Sequence, residues 1–126
     1  MKRVVLTGLV MLTLTPVFAQ DTMDDGSRVI LPLETQQCRL PYAPPPIDQE
    51  PVYADLIAAQ KKVKAFQSGM EKYRECLNND VLSDVLSDGN RQAITNAHNY
   101  SVDMEERVAE MFNVAVRAYK ASQAKD

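Results

Sequence analysis

The stretch that decides the fold is "VYADLIAAQKKVKAFQSGMEKYRECL", residues 52–77. Its Val52, Leu56, Ala59, Val63, Phe66, Met70, Tyr73 and Leu77 recur at alternating steps of four and three. That alternation averages about 3.5 residues and is the seam of a helix packed lengthwise on another helix. A partner lies in the same chain. In "ITNAHNYSVDMEERVAEMFNVAVRAYKAS", residues 94–122, the same steps run through Ile94, Ala97, Ser101, Met104, Val108, Met111, Ala115, Ala118 and Ser122. Between the two seams, "NDVLSDVLSDGN" (79–90) repeats Val-Leu-Ser-Asp and then supplies Gly89, so it reads as a connection with Ser87 or Asp88 capping the second helix.

Two amphipathic helices joined by a short connection form an antiparallel pair. The predicted fold is therefore all-α, a coiled-coil-like hairpin over residues 48–122. Helix one is expected over about 48–78, the connection over 79–89 and helix two over about 90–122. Asp48 is read as the N-cap, with Pro51 tolerated in the first turn because its missing N–H had no partner there. If a positions face d positions, Leu77 meets Ala97, Tyr73 meets Ser101, Met70 meets Met104, Phe66 meets Val108 and Leu56 meets Ala118. Large residues then mostly face small ones, as a close-packed core requires.

Residues 20–47 show no helical period and are expected to form a flexible to extended arm. Five of the seven prolines fall at Pro41, Pro44, Pro45, Pro46 and Pro51. Proline fixes φ and lacks a donor, so residues 41–46 should lie close to polyproline II. One flank of helix one offers such an arm a bed of mostly small residues: Ala58, Lys62, Ala65, Gly69, Lys72 and Cys76, faced by Ala93, Tyr100, Val114 and Ala121 of helix two. From Glu50 to Cys76 a helix rises ~39 Å at 1.5 Å per residue. From Cys38 to Glu50 a polyproline II chain covers ~37 Å at 3.1 Å per residue. The arm can thus run back along helix one and bring Cys38 to Cys76. In an oxidising compartment the two are expected to pair, within one chain or between two.

That compartment is suggested by residues 1–19. Lys2 and Arg3 precede an apolar run, Pro16 breaks it, and Val17 and Ala19 stand at small-residue positions before Gln20. The run is shorter than the ~20 residues a membrane helix needs. It reads as a cleaved signal peptide, giving a periplasmic or secreted protein that starts at Gln20 and has no membrane span. Losing Lys2 and Arg3 takes the 14 basic residues to 12 against 17 acidic ones, so the net charge deepens from −3 to −5. An acidic chain without a basic tract has no grip on phosphate backbones, so nucleic acid is not an expected partner.

Catalysis, metal and cofactor binding find no support in the residue pattern. His98, the one histidine, has the amides Asn96 and Asn99 for neighbours, and Cys38 and Cys76 lack Cys-x-x-Cys spacing. Glu105, Glu106 and Glu110 lie with Arg107 on what reads as a solvated face with helix-spaced ion pairs. One feature exceeds what a hairpin needs. At the open end, Tyr53 and Ile57 from helix one and Phe112, Val116 and Tyr119 from helix two fall on one side. They form an apolar, aromatic patch, either covered by residues 29–33 of the arm, a widening of the core, or a docking face.

Cys38 leading into "PYAPPP" (41–46), then "YRECL" (73–77), "HNYSVDMEE" (98–106) and "FNVAVRAYK" (112–120) carry a likeness. Over residues 38–121 the chain resembles small exported α-helical proteins of proteobacteria of uncharacterised function. The resemblance implies export and a helical fold and carries no catalytic or ligand residues with it. The expected function is that of a non-catalytic envelope protein, an interaction or structural module working through the aromatic patch. The expected partner is another protein or a second copy in a homodimer. The alternatives are a small inhibitor or regulator of an envelope enzyme, or a holdase-like periplasmic chaperone.

Overall fold

The computed structural model describes residues 22–78 and 84–125. The expected signal peptide, residues 1–19, and residues 79–83 of the connection lie outside that range. The elements in chain order are α1 (Leu33–Gln36), α2 (Tyr53–Leu77) and α3 (Asp88–Gln123). Among the described residues no strand forms, and Thr22 and Arg28 make an isolated antiparallel bridge.

Both long helices start at places set by their caps. α2 begins at Tyr53, five residues later than the Asp48 start read from the sequence. A helix from Asp48 would put Glu50 in the α region directly before Pro51, where the proline ring crowds it out. Asp48 instead closes a local turn, its carboxylate accepting from the Glu50 N–H at 3.0 Å. The start of α2 is held by Asp55, which accepts from the Val52 N–H at 3.1 Å. α3 begins at Asp88, with the Ser87 hydroxyl accepting from the Asn90 N–H at 3.1 Å, a serine N-cap. Gly89 is therefore not part of the turn but sits inside the first turn of α3, and it is buried.

α2 and α3 pack against each other. Leu56, Val63, Phe66, Met70, Tyr73 and Leu77 of α2 are buried, and all six belong to the heptad seam. From α3 the seam residues Ser101, Val108 and Ala115 are buried. The middle of the core is Val63, Phe66, Met70 and Val108, with Met104, Met111 and Phe112 packed against them. The pair is antiparallel: Arg74, near the end of α2, reaches Ser101 and Glu105, whereas Tyr53 at its start meets Tyr119. Ser101 is fully buried yet satisfied, donating to the His98 carbonyl at 2.7 Å and accepting from Arg74 at 3.4 Å. The seam opens at the free end, where Val52 and Ser122 are exposed.

Described residues ahead of α2 meet the hairpin at several places. A disulfide joins Cys38 to Cys76 within the chain, with the Cα atoms 5.7 Å apart. Pro41 lies over Gly69, where a Cβ would come within 2.9 Å of the proline ring. Near the connection, a Cβ on Gly89 would strike the Arg28 carbonyl. The Gly89 N–H donates to the Ser27 hydroxyl at 2.7 Å, and the Asn90 side chain donates to the Ile30 carbonyl at 2.6 Å. Residues 23–27 turn back on themselves through Gly26, which takes a positive φ of 80°. One departure from an arm without helix is α1, a single turn whose Thr35 is buried and donates to the Pro32 carbonyl at 2.9 Å. Tyr100, Val114 and Ala121, read from sequence as walls for the arm, stay exposed, and Ala93 is buried.

Candidate functional site

The patch read from the sequence divides in two. Tyr53 opens α2 and Tyr119 lies in the last turns of α3, and the antiparallel packing sets their rings 6.2 Å apart at a 45° tilt. That separation lies within the range of interacting aromatic pairs. Tyr53 remains 63% exposed and Ile57, one turn on, 36%. Val116 and Tyr119 are half-buried. Phe112 turns toward the middle of the hairpin and packs on the Val63–Phe66–Met70–Val108 cluster, so it serves the core. The two tyrosines border a cleft of about 650 Å³, with Pro51, Val52, Ala118 and Lys125 among its walls.

The arm does not cover this patch with residues 29–33. Ile30 is bound to Asn90 at the start of α3. From Asn90 to Tyr119 the helix rises ~44 Å at 1.5 Å per residue. Position, not composition, rules the cover out.

Elsewhere the polar groups serve structure. Glu105 pairs with Arg74 of α2 at 2.8 Å in a half-buried bridge between the helices. Glu110 pairs with Arg117 at 2.7 Å on the surface. Neither is the three- or four-residue spacing read from the sequence. The interhelical pair follows from Ser101, which lets the Arg74 guanidinium approach the seam. His98 is half-buried and its carbonyl accepts from Ser101. Among the described residues no group of histidine, cysteine, aspartate or glutamate side chains gathers to hold a metal ion. The Ser27 hydroxyl and N–H hold the Asp25 carboxyl below the usual carboxylate range. Burial pushes the Tyr73 phenol above its ordinary value. No described helix is long and apolar enough to cross a membrane.

The lock of Ser27, Arg28 and Ile30 onto Gly89 and Asn90 had no signal in the sequence. A glycine after Ser-Asp carries the chemistry of a turn, and only the partner backbone shows that it is there to admit a close approach. No family model, curated protein or solved structure matches the chain.

Proposed function

We propose that this chain is an exported, non-catalytic interaction module of the cell envelope whose working surface is the open end of the hairpin. The observation that carries this reading is the Tyr53–Tyr119 pair, with Tyr53 largely exposed on a helix start that Asp55 caps. Tyrosine is enriched in interface cores because a large apolar ring with few torsions buries area at little entropic cost. The arm acts as an extended third layer that stiffens the hairpin from the other flank, so the patch is presented on a rigid support. Export is supported by the signal-like residues 1–19 and by the disulfide, which persists in oxidising compartments. The occupant is a second copy, apposing two open ends as a four-helix dimer, because a two-fold contact needs only one self-complementary patch.

Replacing Tyr53 and Tyr119 together with glutamine tests this while leaving Phe112 in the core. Light scattering is expected to show a dimer for the wild type and a monomer for the variant, with the helical circular dichroism signal unchanged. A wild type that stays monomeric, or a variant whose mass does not change, contradicts the reading.

A further inference from the structure

Residues 39–47 are held to the hairpin by little besides the Cys38–Cys76 bond. Among the described residues no hydrogen bond joins them to α2 or α3. Their other attachments are the half-buried Pro41, Pro44 and Ile47, with Pro41 over Gly69. Both ends of this span are fixed independently. Ahead of it, Ser27 and Ile30 are bonded to Gly89 and Asn90, and Thr35 is buried. Behind it, Pro51 is buried and α2 begins.

The two sulfurs of the bond are not equivalent. Cys76 is exposed and stands one residue before the end of α2, whereas Cys38 is half-buried. The last turn of a helix carries the negative end of its dipole, and Glu75 adds a carboxylate beside Cys76 in the chain. Negative charge on the Cys76 sulfur is disfavoured there. Cys38 lies outside the long helices, with the cation Arg39 as its neighbour in the chain. Lys72, one turn back on α2, favours either thiolate. An incoming thiolate attacks the more accessible sulfur and expels the one that bears charge better. Access and charge both select Cys76 for attack and Cys38 as the leaving group.

We propose that Cys76 is the site at which a protein dithiol exchanges with this bond, and that exchange there frees residues 39–47 while the lock at Gly89 and Asn90 holds. The partner is a thiol–disulfide oxidoreductase with two active-site cysteines. Its first thiolate attacks the Cys76 sulfur, the S–S bond breaks, and the electron pair leaves with Cys38, which takes a proton. Its second cysteine, as thiolate, attacks the mixed disulfide and releases Cys76, which takes a proton in turn. Two electrons have passed to the chain, and the partner is left with a disulfide. The freed span becomes a loop tied at both ends, and the flank of α2 around Gly69 is uncovered. The tyrosine pair plays no part in this, since Tyr53 lies ~35 Å from Cys76 along α2 at 1.5 Å per residue.

The probe is thioredoxin with its second active-site cysteine replaced by serine, mixed with the full mature protein and quenched with iodoacetamide. Mass mapping is expected to place the mixed disulfide on Cys76 in about tenfold excess over Cys38, with Cys38 alkylated. An adduct on Cys38 in equal or greater amount, or no adduct at all, overturns the proposal. Release is read by limited trypsin digestion of protein reduced and alkylated at both cysteines. Cleavage after Arg39 should be about tenfold faster than in the oxidised protein, while cleavage after Arg28, beside the lock, keeps its rate. An unchanged rate at Arg39, or an equal acceleration at Arg28, overturns it.

Discussion

Gly89 shows how much one missing side chain can decide. In a free helix, alanine would be favoured over glycine by about 1 kcal/mol. Here its Cβ would meet the Arg28 carbonyl, a backbone atom that cannot swing aside, and disturb the Gly89 N–H to Ser27 bond. Overpacking of this kind costs about 1–3 kcal/mol. Gly89→Ala is therefore expected to lower the urea midpoint in spite of its better helix propensity, and equal or greater stability would show that the turn at residues 22–30 is not seated there. Tyr73 offers a test by pH. Tyr73 is buried in the seam, and burial raises its pKa above the ordinary phenol value of 10.0. Because the folded pKa is the higher one, its contribution is intact below 10.0 and is lost as pH climbs through the folded value. Helical signal followed from about pH 9 to about pH 12 should fall as tyrosinate absorbance rises, and a helical signal unchanged over that range would contradict a stabilising role for the buried Tyr73 phenol.

At the scale of elements, the disulfide does what the core alone does too thinly. Its cysteines are 38 residues apart. Closing a loop of that size in the unfolded chain stabilises the fold by about 3–4 kcal/mol on the chain-entropy account. Cys38→Ser with Cys76→Ser is expected to lose roughly that amount in urea unfolding while keeping most helix, since the α2–α3 seam is untouched. A loss well under ~1 kcal/mol would mean that the unfolded chain already holds the arm against α2. The seam itself was legible from the sequence because a step of four and three leaves no other face for Leu56, Val63, Phe66, Met70 and Val108. The meeting of Cys38 with Cys76 was legible as well, since two rises per residue fixed the reach. The start of α3 was legible to within one residue, since Ser87, one of the two residues read as its cap, is the N-cap. The start of α2 was not: Asp48 has cap chemistry, but Pro51 crowds Glu50 and Asp55 captures the Val52 N–H. The tie between Arg74, Ser101 and Glu105 was not legible: the seam reading set Ser101 against Tyr73 as a small residue and left Glu105 on a solvated face.

For the whole molecule, the two flanks of α2 differ. One meets the arm at Gly69 and Cys76 while its Ala58, Lys62, Ala65 and Lys72 stay exposed, and the other carries Tyr53 and Ile57 toward solvent. The patch was legible as a set of positions on one side, but its division was not, because periodicity places Phe112 and Tyr119 on the same stripe and cannot tell which ring the core will take. The core took Phe112, which packs on the Val63–Phe66–Met70–Val108 cluster, and left Tyr119 to pair with Tyr53 at the open end. That end is the account's central claim, and a photo-reactive benzophenone amino acid placed at Ile57 tests it most directly. Unlabelled and nitrogen-15-labelled copies are mixed, irradiated and digested, and the cross-linked peptides are sorted by isotope. The account predicts mixed-isotope cross-links from position 57 to residues 112–123 of the other copy, lost in the Tyr53→Gln/Tyr119→Gln variant. Cross-links confined to a single copy, or reaching the arm of the other copy in place of its open end, would contradict it.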